Sequence, residues 1–374
     1  MGRRALSVLL VTVPAAALGA LGIVVVASAT AQQGATMYGV AAHFAARQVF
    51  ALILAALVAI AFVQLGARRV LRAAPFIFVV ALGAVMAVFA PGVGVRAAGA
   101  NRWLHLGPIS FNPASLLTSA TAMLMAAWAA VAPQGARAAA VPPEARGHRV
   151  FAVGLGTLGV LTLVAEPDFS AAAVTAFVML VAFAGAGVGG RRLVPAAAAA
   201  VVLLVVLASR FGYVDRRVSG FLAPEADRRG KGYEVLALAR AQASSTRTGV
   251  GLGRGMARRR LSSPGSDYVF AVVNEELGRV AAAGVAAAWA AIAAGALLAA
   301  FGTRDPRLRA GALGAGAAAV APAALHIAVC QGWVPIIGVS MPLVSYDPAA
   351  TLATGAEVGL IAAVALASGG EARA

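Results

Sequence analysis

Residues 261–278 read LSSPGSDYVFAVVNEELG. One acid, Asp267, stands where a long basic segment gives way to an apolar run, and two more, Glu275 and Glu276, lie further into that run. Carboxylates are costly in a bilayer, so an acid inside an apolar helix marks a functional site by default. The stretch decides the fold class only if its surroundings are membrane-spanning, and composition says that they are. Of 374 residues, 61% are hydrophobic and only 12% charged, with mean hydropathy +0.87. A soluble domain carries about 25% charged residues.

Charges cluster, and long uncharged stretches separate the clusters. A helix of roughly 20 apolar residues crosses a bilayer. Spans are predicted near 6–28, 46–66, 74–92, 113–132, 150–165, 169–188, 193–209, 268–300, 311–330 and 348–368, with 268–300 too long for one simple crossing. The expected fold is an all-α polytopic membrane protein of about ten helices, one domain over residues 1–374. Arg3, Arg4 and Ala27-Ser28-Ala29 also fit a signal peptide. The apolar run between them exceeds a usual signal core, so it is read as a retained helix. The polar tail after Gly369 is read as disordered.

Lys and Arg in short loops set the orientation. With the N-terminus inside, fourteen basic residues fall on the cytoplasmic side, Arg137 among them. Arg47, Arg96 and Arg102 are the three on the short outside loops. Both termini are therefore expected in the cytoplasm. A large extracytoplasmic loop, about 210–267, then joins helices 7 and 8, with twelve basic and five acidic residues. It reads either as a solvated or headgroup-docked loop, or as a site for an anionic, phosphate-bearing substrate.

Several classes fall away. The net charge of +16 is spread over membrane loops, which argues against nucleic acid as a partner. Four histidines and the single Cys330 are scattered and make no zinc pattern. No Gly-rich phosphate loop ending in Lys-Ser/Thr is present, so ATP hydrolysis is not expected.

Five segments then line up. They are GANRWL (99–104) followed by FNPASLLT (111–118), EPDFSA (166–171), RVSGFLAPEADRRGKGYE (217–234), GSDYVFAVVNEELG (265–278) and VPIIGVSMPLVSYDPAA (334–350). In this order they resemble the motifs of the SEDS family of bacterial cell-wall proteins, the FtsW/RodA group, with EPDF and MPLVSY leaning towards FtsW. The resemblance implies a ten-helix peptidoglycan glycosyltransferase of the bacterial cytoplasmic membrane. Such a protein polymerises lipid II beside a class B penicillin-binding protein, among membrane lipids. No cofactor is implied with certainty; a divalent cation is left open. A lipid-linked precursor flippase and a non-catalytic scaffold for the transpeptidase remain as alternatives.

The resemblance puts the catalytic carboxylate at Asp267. An acceptor hydroxyl is a poor nucleophile until a base takes its proton, and a carboxylate suits that task. The other reading of Asp267 is a helix N-cap. Arg102, Arg216, Arg217 and Lys231 are candidates for the pyrophosphate, each equally a headgroup contact. Trp103, Asp168, Tyr233 and Ser345 complete the candidate substrate-binding set; Trp103 could also be an interfacial anchor and Asp168 a turn and cap residue. Glu275 and Glu276 diverge by about 100° on a helix and are read as packing acids paired inside the bundle. The chain departs from the family pattern at Ser115 and Thr118, where Glu and Lys are typical. It also departs at Gly265-Ser266 for His-Thr, at Asp347-Pro348 for Gly-Gly, and at Glu357 in an otherwise apolar span.

Overall fold

Two helix starts use the same local device. Asp305 and Asp347 take the N-cap position, each accepting a backbone N–H, and a proline follows at the first helical residue. An Asp cap satisfies one orphan donor, and proline there has no N–H to lose. In the computed structural model, which describes residues 2–97, 100–106, 109–129, 143–210, 212–227 and 230–368, these devices start α13 (Pro306–Cys330) and α14 (Pro348–Ala367).

The remaining long helices are α1 (Arg3–Tyr38), α2 (His43–Leu65), α3 (Ala67–Ala87), α4 (Ala114–Ala129), α5 (Pro143–Ala165), α6 (Phe169–Gly185), α7 (Gly190–Ser209) and α12 (Gly278–Ala300). Among the described residues seven helices are long and apolar enough to cross a membrane, and three shorter apolar helices lie in α4, α5 and α6. The protein is thus a mostly helical, multi-pass membrane protein. The tail from Gly369, Gly99 and Gly107 of the first motif, and Arg137 lie outside the described residues.

α14 is the axis of the bundle. Within its spanning stretch 83% of residues are buried, against 0% in α7. Its close neighbour is α2, and the approach depends on two glycines. A Cβ at Gly355 would lie 2.3 Å from the Ala55 carbonyl oxygen, and one at Gly359 would lie 2.7 Å from the Ala59 Cα. Small residues four apart let two membrane helices touch backbone to backbone, which maximises dispersion where lipid removes the hydrophobic drive. The N-terminal helix belongs to the same core. Val11, Leu18 and Val25 are buried, Ser7 donates to the Gly295 carbonyl at 2.8 Å, and Ser28 donates to Glu276 at 2.5 Å. Residues 27–29 are therefore interior to a continuous packed helix.

Three expectations change. The predicted span at 74–92 ends early, at Ala87, and the chain turns into a small antiparallel sheet, β1 (Gly94–Ala97), β2 (Ala100–Leu106) and β3 (Ile109–Phe111). The helical class stands, with this small sheet added at one end. Val95 pairs with Trp103 and Leu104 with Phe111, with a bulge at Val95/Arg96. The stretch 268–300 is two helices, α11 (Val269–Glu276) and α12, broken at Leu277-Gly278. The segment 210–267 is not an open loop: it folds as α8 (Gly212–Leu222), a short 3-10 turn (Pro224–Asp227), α9 (Lys231–Ser244) and α10 (Ala257–Arg260).

The break at 277–278 explains the two glutamates. Gly278 has φ +89° and Gly249 φ +80°, so the chain can fold residues 246–251 back against the helix end. Val250 and Gly251 N–H donate to the carbonyls of Glu275 and Glu276, each at 3.0 Å. Both side chains then reach into the same loop. Glu276 accepts from Gly253 and Gly255 N–H and from Ser28, with Arg258 4.0 Å away. Glu275 accepts from Ala257 N–H at 2.7 Å and Ser244 at 2.9 Å. The expectation of packing acids paired inside the bundle is met in part: Glu276 reaches Arg258 and Ser28 of α1, and Glu275 reaches Ser244 of α9, while loop N–H groups supply the other partners. The loop wraps the helix end, so side chains 100° apart can share it, and backbone donors satisfy both carboxylates.

The connections sort into two ends. At one, Arg68 reaches Asp305 at 3.7 Å and Arg309 donates to Gly185 O at 2.6 Å. At the other meet the sheet, the 166–168 turn, the 210–267 segment and the 331–347 loop. The basic-residue asymmetry predicts that this second end is the outer one.

Candidate active site

Asp267 follows the tight turn Ser263–Ser266 and donates its N–H to Ser263 O at 3.0 Å. The N-cap of α11 falls one residue later, on Tyr268, with no side-chain cap bond. Asp267 thus stands one residue ahead of the N-cap position. Three sets of bonds hold it in place. Ser345 donates to Ser266 O at 2.7 Å and accepts from Met341 N–H at 2.9 Å, while Tyr346 N–H donates to Gly265 O at 2.8 Å. Tyr268 and Ser262 both donate to the buried Glu234 on α9, at 2.9 and 2.6 Å. Burial first, and then the Glu234 carboxylate, push the Tyr268 phenol well above its ordinary range. His326 on α13 accepts from Phe270 N–H at 3.3 Å through Nε2, and its Nδ1 lies 2.7 Å from Val339 O. That pairing is met by the tautomer with the proton on Nδ1.

Asp267 lines a cavity of about 360 Å³. Arg102, Trp103, Asp168 and Arg217 line it too, so five of the nine sequence-derived candidates converge there. Gly338 forms the wall beside the acid, where a Cβ would stand 3.8 Å from Asp267 Oδ2. Arg102, on β2, donates from Nε to Glu166 O at 3.0 Å and from a terminal nitrogen to Pro167 O, clamping the turn before α6. Arg217, on α8, donates to Ile336 O at 3.0 Å. Asp168 caps α6 by accepting from Ala171 N–H at 3.0 Å and from Ser170 at 2.9 Å, so capping and cavity lining coexist. The other candidates lie apart. Tyr233 is exposed on α9, and Ser345 is fully buried in the turn-to-loop clamp. Arg216 sits on α8 and Lys231 begins α9, and the side chains of both lie outside the described residues.

The departures from the family pattern gather in the same cavity. Ser115, Thr118, Ser266, Asp347 and Glu357 all line it. Thr118, where a lysine is typical, lies 2.8 Å from the Thr175 hydroxyl and donates to Ala114 O at 3.1 Å. Asp347-Pro348 loses nothing as a backbone, since Asp347 is extended at φ −149° and caps α14. Its carboxyl also accepts from Ser340 at 2.6 Å. Burial raises its pKa, offset in part by the Ala350 N–H and the Ser340 hydroxyl.

Sequence reasoning missed Glu166. It is 1% exposed, and neither carboxylate oxygen has a hydrogen-bond partner among the described residues. Burial, reinforced by Asp168 and opposed by Arg102, lifts its pKa to about 8. The signal was an acid at the start of EPDF, where the family pattern has Gln.

A divalent cation does not fit these residues. Among the described residues no three His, Cys, Asp or Glu side chains group to hold one, and Asp168 and Asp347 are already engaged as helix caps.

A multi-helix membrane protein with a carboxylate- and arginine-lined cavity at one end is the class that this geometry defines. The chain belongs to the cell cycle protein family of FtsW, RodA and SpoVE, whose model matches residues 8–369. It is 31% identical over 354 residues to a probable peptidoglycan glycosyltransferase FtsW of Halorhodospira halophila, covering 92% of this chain and 87% of that one. It is 28% identical over 366 residues to the protein of that name in Mycobacterium tuberculosis, covering 97% of this chain and 68% of that one. Two solved structures share the fold. One is a chain from work on the coordination of polymerization and crosslinking by a peptidoglycan synthase complex (TM-score 0.72, 24% identity, 96% and 97% of the chains). The other is the rod shape determining protein RodA of Thermus thermophilus (TM-score 0.65, 22% identity, 95% of each).

Proposed function

We propose that the chain is a peptidoglycan glycosyltransferase that polymerises lipid II at the outer face of the bacterial cytoplasmic membrane. The observation that carries this reading is Asp267 beside Gly338 in a cavity that also holds Arg102 and Arg217. Asp267 takes the proton of the acceptor sugar's 4-hydroxyl as that oxygen bonds to the donor's anomeric carbon. The bond from that carbon to the lipid pyrophosphate breaks, and the pyrophosphate leaves with the electron pair. It needs no strong acid, only cations near the developing charge. Arg102 and Arg217, which both line the cavity, fill that role. An apolar pocket of about 210 Å³, with Phe50, Leu54 and Leu116 in its wall, shares Tyr346 with the cavity and offers the polyprenyl tail a path.

Membership of a family whose named relatives are FtsW proteins supports a division role, with the chain acting as one membrane unit of about ten spans. The partner is then a class B penicillin-binding transpeptidase. The test is polymerisation of labelled lipid II by the purified chain with and without that partner. Glycan strands from wild type and at least a hundredfold loss in Asp267→Asn support the reading. A folded, partner-bound wild type that makes no strand sinks it and favours a scaffold or a flippase.

A further inference from the structure

Glu357 is the one cavity acid that caps no helix and precedes no helix start. It lies at the middle of α14, the most enclosed span, and is 2% exposed. Its Oε1 accepts from the Ser119 hydroxyl of α4. Its Oε2 has no hydrogen-bond partner of normal geometry among the described residues, although the Thr354 hydroxyl lies close enough to act on the carboxyl. Thr354, one turn earlier on α14, and Ser115 and Thr118 on α4 line the same cavity. A buried carboxylate oxygen without a donor costs free energy that the fold would shed by mutation unless something else fills the place.

We propose that Glu357, with Ser115, Thr118 and Thr354, forms a saccharide subsite, in which Oε2 accepts from a hydroxyl or amide N–H of the bound sugar. Three features point to that chemistry. The surrounding wall presents hydroxyls, which both donate and accept, as a sugar edge does. The cation typical of the family at position 118 is replaced by a threonine whose hydroxyl meets Thr175, so no lysine competes for the carboxylate. Ser115 on α4 and Glu357 on α14 line the cavity from two different helices, so a sugar between them meets a hydroxyl on one side and a carboxylate on the other. Glu357 makes no bond to the reacting atoms in this account; it orients the sugar.

The inference rests on the glycosyltransferase reading, and the test separates the two. Full-length protein in nanodiscs is assayed for lipid II polymerisation as wild type, Glu357→Gln and Glu357→Leu. Lipid II affinity is measured in the turnover-free Asp267→Asn background with each change. Glu357→Leu should raise KM and weaken binding about tenfold with kcat changed less than threefold. Glu357→Gln, which keeps an acceptor oxygen, should stay within threefold of wild type. Unchanged KM and affinity in Glu357→Leu would overturn the subsite while leaving the polymerase reading intact, and so would a loss confined to kcat. Should Glu357→Leu fail to fold, Ser115→Ala with Thr354→Val carries the same expectation at about threefold, and unchanged binding there overturns it. A wild type that neither binds nor polymerises lipid II removes the function and the subsite together.

Discussion

Glu166 behaves as a buried neutral acid. An unfolded chain ionises it above the ordinary pKa of 4.5, whereas the fold holds it protonated to about 8. Folding is therefore progressively disfavoured as pH rises from 4.5 towards 8, and the effect levels off above that window. Glu166→Gln should raise the unfolding temperature by several degrees at pH 8 and by little at pH 5. Equal gains at both values would contradict the burial argument. A second residue, Gly338, tests geometry instead of charge. Gly338→Leu would place a side chain into the space beside Asp267, so transfer activity should fall at least tenfold with little change in unfolding temperature. At this scale the motifs picked out Asp267, Arg102 and Arg217, which the fold brings to one cavity. They marked Glu166 only as the acid that opens EPDF, and did not show that Ser345 bonds the 266 carbonyl and the Met341 N–H. What those two do depends on which backbone groups lie opposite them, and a single chain's residue order does not display that.

The helices were legible wherever charge marked their ends and obscure wherever backbone geometry did. Residues 348–368, read from the charge-poor gap, were placed to within a residue of the observed Pro348–Ala367, and the cap at Asp347 fixes the start. The stretch 268–300 was seen to be too long, but its break needed Gly278 at positive φ and a loop folded against it. The sheet at 94–111 escaped because its short strands lie among glycines and alanines with little alternation to mark a face. Two predictions belong to elements. Glu276→Ala leaves Gly253, Gly255 and Ser28 without their shared acceptor. It should cost about 2–4 kcal/mol, of the order measured for unmade buried bonds to charge, and should show as faster hydrogen exchange across 249–257. Gly355→Val drives a branched side chain into the Ala55 carbonyl. It should destabilise the α2–α14 contact by roughly 1–3 kcal/mol, and its unfolding temperature would drop accordingly.

At the scale of the whole molecule, the protein brings segments far apart in the chain to one end of a helical bundle. Arg102 from the sheet, Asp168 from the α6 cap, Arg217 from α8, Asp267 ahead of α11 and Asp347 ahead of α14 share one cavity. Hydrogen bonds between loops lock them: Arg217 to the 336 carbonyl and Ser345 to the 266 carbonyl. The basic-residue count predicts this end to be the outer one. The central claim is that a sugar acceptor sits against Asp267 in this cavity. The measurement that tests it most directly is a structure of the Asp267→Asn protein with lipid II in a lipid nanodisc. The account predicts the acceptor's 4-hydroxyl about 2.6–3.2 Å from the residue 267 side chain, with the pyrophosphate facing Arg102 and Arg217. Sugars bound wholly outside the cavity, with residue 267 touching none of them, would contradict it.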